Sequence, residues 1–280
     1  MADLKELQDI ASQIRRDVIR MTHSAGCGHP GGALGCADFF SALYFDIMDH
    51  NSDFKMDGVG EDIFFLSNGH ICPGWYSALA RSGYFENSEL ATFRQIDSRL
   101  QGHPATEEQL EGIRVASGSL GQGLSVALGA ALTKKLNGDD HLVYTLHGDG
   151  EIQEGQIWEA LIFGAHHKID NIIATIDNND KQIDGPVHEV MSLGDVSQKI
   201  KSFGWEVLSM NGNDMQDVVQ TVSKAKSMTG QGKPICIVMN TLMGYGVDFM
   251  EDDHKWHGVA PNDEQAEKAL TQLEETLGDY

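Results

Sequence analysis

Basic residues are scarce in this sequence. Its 280 residues contain 20 Lys and Arg against 42 Asp and Glu, which gives a formal net charge of −22 at pH 7. So acidic a chain is a poor match for nucleic acid or an anionic membrane, and we expect neither as a partner. If the protein binds phosphate groups, its positive potential must be local, in a metal ion, in helix N-termini or in histidines.

Long apolar runs and secretory features are also lacking. No apolar stretch approaches the roughly 20 residues that a membrane-spanning helix needs. The N-terminal segment has the pattern of a charged amphipathic helix without the apolar core of a signal peptide. The 4 cysteines show no close pairing pattern, which suits reduced thiols. We therefore expect a cytoplasmic protein.

No linker, composition shift or low-complexity segment divides the chain, which predicts one domain over residues 1–280. Segments with strand character alternate with segments of helical spacing. The predicted strands are 62–66, 141–147, 171–177, 205–210 and 234–239, and the predicted helices are 4–25, 35–48, 72–81, 124–135, 157–168, 195–203, 215–226 and 262–277, with 86–100 mostly helical. This alternation predicts an α/β fold, a doubly wound parallel sheet with helices on both faces.

Polar side chains follow two of these strands. Gly148-Asp149-Gly150 comes directly after the strand 141–147, and Asn178-Asn179 follows the strand 171–177. Parallel strands end at the same edge of a sheet, where ligands collect. Carboxylate and amide oxygens there can share a hard cation such as Mg²⁺, and the cation can hold a diphosphate. The sequence therefore predicts a metal and diphosphate site.

Histidines recur beside glycine in loops. His29 lies in CGHPGG, a predicted loop, and His103 lies in QGHP. His70 lies where a strand ends and a helix begins, and His257 follows an acidic, glycine-containing loop. Taken singly, His29 could be an ordinary turn residue and His70 could cap the following helix. Their repetition favours a ligand-binding role.

The segment SGSLGQG, residues 117–123, precedes a helix of small residues. Such a loop can direct backbone N–H groups at an anion, although glycine- and serine-rich linkers are common. It matches neither the Rossmann fingerprint nor a P-loop. Glu151 and Glu154 follow the Gly-Asp-Gly turn, where acidic residues also favour the dipole of a beginning helix.

Together these motifs resemble the transketolases. Gly-Asp-Gly followed one βα unit later by Asn-Asn resembles the thiamine-diphosphate signature. CGHPGG, SNGH, QGHP, SGSLGQG, GDGEIQEG, IDNND, IDG and WHG occur in transketolase order. The resemblance runs from Leu7 to about Tyr280 but covers only the diphosphate-binding half of a full-length transketolase. The chain therefore resembles the N-terminal subunit of a split transketolase.

The resemblance implies site residues. The metal, Mg²⁺ with Ca²⁺ or Mn²⁺ as substitutes, would be bound by the side chains of Asp149 and Asn179 and the main-chain carbonyl of Lys181. The implied contacts with thiamine diphosphate are His70, Gly118, Ser119, Leu120, Asp149, Gly150, Glu151, Asn179, Ile183 and His257. His29, His70, His103 and His257 would surround the reacting part of the sugar. Glu154 matches the glutamate that links the two active sites of the dimer.

The implied reaction transfers a two-carbon ketol unit from a ketose, or ketose phosphate, to an aldose acceptor. The glutamate that activates the cofactor, and the residues that grip the substrate phosphate, would lie on a partner chain carrying the pyrimidine and C-terminal domains. An α₂β₂ assembly is expected. Asp180 stands where the family commonly has glycine, and Cys27 replaces a frequent serine. Asn68 replaces a lysine of many relatives, which removes a positive charge near the site. A sulfonated or unphosphorylated sugar therefore stays open as the substrate.

Two other interpretations stay open on the sequence alone. The chain could be the diphosphate-binding half of a 2-oxo-acid dehydrogenase or of a deoxyxylulose-phosphate synthase, although the four loop histidines favour a polyol substrate. It could also be a non-catalytic subunit with a degenerate fold, against which the intact metal residues argue.

Overall fold

The computed structural model describes residues 3–280. Its strands are β1 (Ile63–Leu66), β2 (Val143–Gly148), β3 (Ile172–Asn178), β4 (Lys181–Gln182), β5 (Gly185–Pro186), β6 (Glu206–Asn211) and β7 (Ile235–Asn240). Its α-helices are α1 (Leu4–Ala25), α2 (Pro30–Gly35), α3 (Ala37–Ala42), α4 (Cys72–Arg81), α5 (Gly123–Asn137), α6 (Gly155–His166), α7 (Val187–Met191), α8 (Val196–Ser202), α9 (Met215–Met228) and α10 (Asp263–Gln272). Each predicted strand is present within a residue or two, which confirms the pattern of alternating elements.

The main sheet is parallel throughout, in the order β1-β2-β3-β7-β6. β7 enters between β3 and β6, so the chain does not add its strands in sequence order. β4 and β5 form a separate antiparallel hairpin directly after β3. Because all strands of the main sheet run the same way, their carboxyl ends form one edge, and the segments after β1, β2, β3 and β7 meet there.

Helices cover both faces of this sheet, as the strands themselves require. In β7, Ile235, Ile237 and Met239 join one apolar core, whereas Cys236 and Val238 join the other. The first core is completed by α1, α3, α4, α9 and α10, and the second by α5, α6 and α8. A strand buried on both sides has to be apolar along its whole length. The predicted doubly wound α/β fold is confirmed.

Local signals explain where the long N-terminal helix begins and ends. The Asp3 side chain accepts a hydrogen bond from the Lys5 N–H at the start of α1. At the other end, Gly26 takes the left-handed conformation with a φ of 63°. Both are favoured capping arrangements. Among residues 3–280, no helix is both long enough and apolar enough to cross a lipid bilayer.

Three predicted elements are present in part but begin, end or continue differently in the structure. CGHPGG is not wholly a loop, because Pro30 starts α2, and proline suits a first helical position. The predicted helix 35–48 is broken into α3 and a following π-helical turn, Leu43–Ile47. The last helix, α10, ends at Gln272 rather than near residue 277.

The prediction of a mostly helical segment at 86–100 is wrong. It contains one 3-10 helix, Asn87–Thr92, followed by turns with positive φ at Arg94 and Asp97. The Ser98 hydroxyl bonds to the Thr92 hydroxyl and accepts from the Leu100 N–H. Such local side-chain bonds compete with a continuing helix.

Candidate active site

A cavity of about 290 Å³ lies at the carboxyl ends of the strands. It is lined by His29, Gly32, Asn68, His70, Ile71, His103, Gly118, Leu120, Gly148, Asp149, Gly150, Glu151, Asp177, Asn179, Lys181, Gln182, Ile183, Met243 and His257. The structure thus brings every residue of the predicted site to one cavity, except Ser119 and Glu154. Their individual roles stay predictions.

Asp149 follows β2 and is held rigidly. Its Oδ1 accepts a hydrogen bond from the Gly150 N–H at 2.7 Å, and its Oδ2 accepts one from the Asp180 N–H at 2.6 Å. The residue is only 3% exposed. Burial, followed by the nearby charge of Asp177, raises the pKa of Asp149 to about 8. A cation bound here would reverse that shift, because it favours the charged carboxylate.

Asn179 follows β3, beside the same cavity. Its Oδ1 accepts a hydrogen bond from the Lys181 N–H at 2.8 Å, which shapes the turn into the hairpin β4–β5. Asp180 adopts a φ of 57°, so aspartate does take the left-handed conformation that glycine would favour. The Lys181 ammonium pairs with Asp252 at 2.6 Å and joins this turn to the loop before His257.

The four loop histidines form one cluster. The ring centre of His29 lies 5.1 Å from that of His70, 6.0 Å from that of His103 and 5.8 Å from that of His257. His70 and His257 stack at 5.0 Å. These residues come from four separate segments. His70 follows β1 and His257 lies in the segment after β7, whereas His29 precedes α2 and His103 lies between α4 and α5.

The environment favours the neutral form of these histidines. Burial, then the charges of His257, Arg94 and His103, lowers the pKa of His29 to about 4. Burial and the other three rings hold the pKa of His70 well below its usual value. Burial, followed by the nearby charge of Arg94, lowers the pKa of His103, and burial lowers the pKa of His257. A neutral imidazole offers one donor and one acceptor, which suits hydroxyl and carbonyl groups.

Replacing His29 with glutamine is expected to make the fold less sensitive to acid. An unfolded histidine binds a proton below pH 6.5, whereas His29 in the folded chain resists protonation down to about pH 4. The folded state therefore loses stability as the pH falls through that window. Melting temperatures between pH 6.5 and 4 should fall less steeply for His29→Gln than for the wild type. His166→Gln, at an exposed histidine of α6, is the control and should keep the wild-type slope. An unchanged slope in His29→Gln contradicts the prediction.

Glu151 is a buried carboxylate that joins three loops. Its Oε1 accepts from the Gly121 N–H at 2.9 Å and from the Ser67 hydroxyl, and its Oε2 accepts from the Gly148 N–H at 3.0 Å. Burial opposes its charged form, but the nearby His147 and the hydrogen bonds from Ser67 and Gly121 hold the pKa of Glu151 below its usual value. These contacts connect the segment after β1, the segment 117–123 and the Gly-Asp-Gly turn around the cavity.

Ser119 and Glu154 lie outside the cavity lining. Ser119 is exposed in the segment 117–123, whose Gly118 and Leu120 do reach the cavity. Glu154 is exposed at the start of α6, where its side chain packs against Gly121. Its side chain makes no capping hydrogen bond there. Exposed positions at the rim of a cavity are accessible to a partner chain.

The cavity also contains residues that the sequence motifs did not single out as site residues. Asn68, Asp177 and Met243 are each 1% exposed, so all three are buried beside the cavity. The position of Asp177 at the end of β3 was a usable signal, since it directly precedes the paired asparagines. Met243 and Gln182 had no such signal, because their approach depends on loop packing.

The residues present fit a diphosphate cofactor with a metal ion. His29 Nδ1, His257 Nδ1 and Asn68 Oδ1 are buried without a hydrogen-bond partner, which is costly unless a ligand completes them. Within residues 3–280, no group of three or more His, Cys, Asp and Glu side chains is arranged to hold a metal alone. Of the predicted ligands only Asp149 carries such a side chain, so phosphate oxygens would have to complete the shell of a metal.

The fold and the site together define an α/β enzyme domain that can hold a diphosphate and a hard cation at the edge of a parallel sheet. Comparison with known proteins identifies the family. The family model for the thiamine diphosphate binding domain of transketolase matches residues 7–277. The chain belongs to the transketolase family and corresponds to its N-terminal, thiamine-diphosphate-binding half.

Its relatives include separate subunits and full-length enzymes. The apulose-4-phosphate transketolase subunit of Phocaeicola vulgatus is 39% identical over 94% of this chain and 92% of its own length. A 6-deoxy-6-sulfo-D-fructose transketolase subunit of a Clostridium species is 37% identical, covering 96% of each chain. Among solved structures, the transketolase of Leishmania mexicana superposes with a TM-score of 0.89 at 30% identity, over 100% of this chain and 42% of the other. This chain thus spans about two fifths of that full-length transketolase.

Proposed function

We propose that this chain is the diphosphate-binding subunit of a two-chain transketolase. With a partner chain, it transfers a two-carbon ketol unit from a ketose to an aldose. Residues 1–280 form one domain in this proposal, and the pyrimidine and C-terminal domains belong to the partner. The relatives that are named as subunits have nearly the same length as this chain, which supports that division.

One observation supports the proposal above others, namely the cluster of four neutral histidines beside Asp149 and Asn179 in one cavity. A cation and diphosphate site alone fits many thiamine-diphosphate enzymes. Several neutral imidazoles next to it suit a substrate with adjacent hydroxyl and carbonyl groups. A sugar has that chemistry, whereas a 2-oxo acid presents a carboxylate that favours cations.

In this proposal the cavity holds thiamine diphosphate and Mg²⁺, with Ca²⁺ or Mn²⁺ as substitutes. Asp149, Asn179 and the carbonyl of Lys181 would hold the metal, and its positive charge would offset the negative charge of the diphosphate. The diphosphate and thiazolium ring contact His70, Gly118, Ser119, Leu120, Gly150, Glu151, Ile183 and His257. When bound, the cofactor supplies the nucleophilic carbon that attacks the ketose carbonyl.

The chain's own residues orient the sugar and move protons. His29 and His103 hold the hydroxyl groups of the donor, and a neutral imidazole accepts the proton that leaves a hydroxyl when the carbon–carbon bond breaks. His70 and His257 stack at 5.0 Å and line the same cavity as Asp149 and Asn179. Glu154, exposed at the start of α6, connects this site with a second copy across the assembly.

The relatives support a proposal for the substrates and the assembly. Apulose 4-phosphate and 6-deoxy-6-sulfo-D-fructose, which appear in the relatives' names, are ketoses with an anionic group at the far end. We propose a donor of that class, a phosphorylated or sulfonated ketose, within carbohydrate metabolism of the pentose phosphate type. The anionic end would be held by the partner chain, in a cytoplasmic α₂β₂ complex.

The substrate class can be tested directly with the reconstituted pair of chains. Supplied with thiamine diphosphate and Mg²⁺, the pair should consume ketose phosphates in the presence of an aldose and leave pyruvate and 2-oxoglutarate unchanged. Chromatography of the sugar products, with decarboxylation followed in parallel, measures both. Efficient decarboxylation of a 2-oxo acid without ketol transfer contradicts the proposal.

A further inference from the structure

Asp177 is a buried carboxylate to which the proposed mechanism gives no role. It lies at the end of β3 and is 1% exposed. The Thr241 hydroxyl donates to its Oδ1, the Asn179 amide Nδ2 donates to its Oδ2 at 2.8 Å, and the Cys36 thiol is a further partner. Burial raises the pKa of Asp177 to about 6, and these partners oppose that shift, because all are donors and a charged carboxylate can only accept hydrogen bonds.

This contact fixes the orientation of the Asn179 amide. The two ends of a carboxamide have nearly the same shape, so hydrogen bonds decide which end points where. A carboxylate can only accept hydrogen bonds, and only the N–H₂ end of the amide can donate one. The Asn179 amide therefore turns Nδ2 towards Asp177 and Oδ1 away from it. Oδ1 then accepts the Lys181 N–H at 2.8 Å in the turn beside the cavity.

The orientation matters because a hard cation takes oxygen ligands and no amide N–H₂ group. Were the amide reversed, its N–H₂ group would face the cation that Asp149 attracts. Asp177 is well placed to prevent this, since it pairs in register with Met239 of β7 and its carboxylate is tied to Thr241 just beyond that strand. A group fixed on the sheet is a more rigid support than one on a loop.

We propose that Asp177 is a positioning residue for the metal, which it serves by holding the Asn179 carboxamide with Oδ1 towards the cation. Asp177 itself does not touch the metal or the substrate. The inference rests on the proposed function, because the cation concerned is the one that accompanies thiamine diphosphate.

The test replaces Asp177 with asparagine in the complex with the partner chain. The introduced side chain can offer its own N–H₂ group, so the Asn179 amide is no longer held in one orientation. The Mg²⁺ dissociation constant, from Mg²⁺ titrations of thiamine diphosphate binding, should rise about 10–100-fold. At saturating Mg²⁺ and cofactor, kcat should stay near the wild-type value. An unchanged Mg²⁺ dissociation constant in Asp177→Asn overturns the inference.

Two further variants separate positioning from a merely structural role. Thr241→Val removes a donor to Asp177 but leaves its contact with Asn179, so it should lower the melting temperature and keep the Mg²⁺ affinity. In Asp177→Asn combined with Asn179→Asp, the new carboxylate presents oxygen in either orientation, and Mg²⁺ affinity should return. If both Asp177→Asn and Thr241→Val change only the melting temperature, Asp177 is structural.

If the wild-type complex binds no thiamine diphosphate, the proposed function fails, and this inference fails with it.

Discussion

Replacing Asp149 with asparagine is expected to abolish Mg²⁺-dependent binding of thiamine diphosphate and to lower the rate of ketol transfer about 100-fold or more. Asp149 is the one proposed ligand from this chain whose side chain can ionise to a full negative charge. Its oxygens are already oriented by the N–H groups of Gly150 and Asp180. Asparagine keeps the shape but not the charge. Calorimetric titration of the cofactor into the reconstituted complex, with and without Mg²⁺, measures the loss.

The metal-free chain provides the control for this variant. The pKa of Asp149 is about 8 in the fold against an ordinary 3.8, so the folded state binds the extra proton and loses stability as the pH rises across that interval. The carboxamide that replaces this carboxylate cannot ionise. Asp149→Asn should therefore lose less stability than the wild type as the pH rises, and its fold should stay intact. A variant that folds yet keeps wild-type, Mg²⁺-dependent cofactor binding contradicts the metal assignment.

Much of this fold was predictable because its signals are local. The strands around 141–147 and 171–177 are mostly apolar, as is typical of strands buried on both faces, and they appear as β2 and β3. The Gly-Asp-Gly turn and the glycine–histidine loops are equally local. The turns after β2 and β3 and the segment of His70 after β1 meet in one cavity because the parallel strands end at one edge, whereas His29 and His103 reach that cavity from segments between helices.

Other features depend on contacts between distant segments, which no local pattern reveals. The role inferred for Asp177 needs Thr241 beside it, and the burial of Glu151 needs the backbone of Gly121. At the sequence level Glu151 fitted a helix-dipole explanation equally well. The helix expected at 86–100 was wrong for a different reason, because local hydrogen bonds of the Ser98 side chain compete with a weak helical preference.

The chain alone is expected to show no transketolase activity, and to gain it with its partner. Around the cavity, the carboxylates of Asp149, Glu151 and Asp177 are each held by hydrogen bonds from this chain. No further carboxylate lines the cavity within residues 3–280, so none is left to activate the cofactor. Leu120 and Ile183, which also line the cavity, are 38% and 64% exposed, as expected of a site that a second chain completes.

The most direct measurement is a titration of this chain with the partner chain at saturating thiamine diphosphate and Mg²⁺, following ketol transfer from a ketose phosphate to an aldose. We expect no rate without the partner, and a rate that rises and saturates at one partner per chain, with a mass that corresponds to α₂β₂. Asp149→Asn, titrated in parallel, should assemble with the partner but stay inactive. Full activity of this chain without any partner would contradict the proposal of a two-chain transketolase.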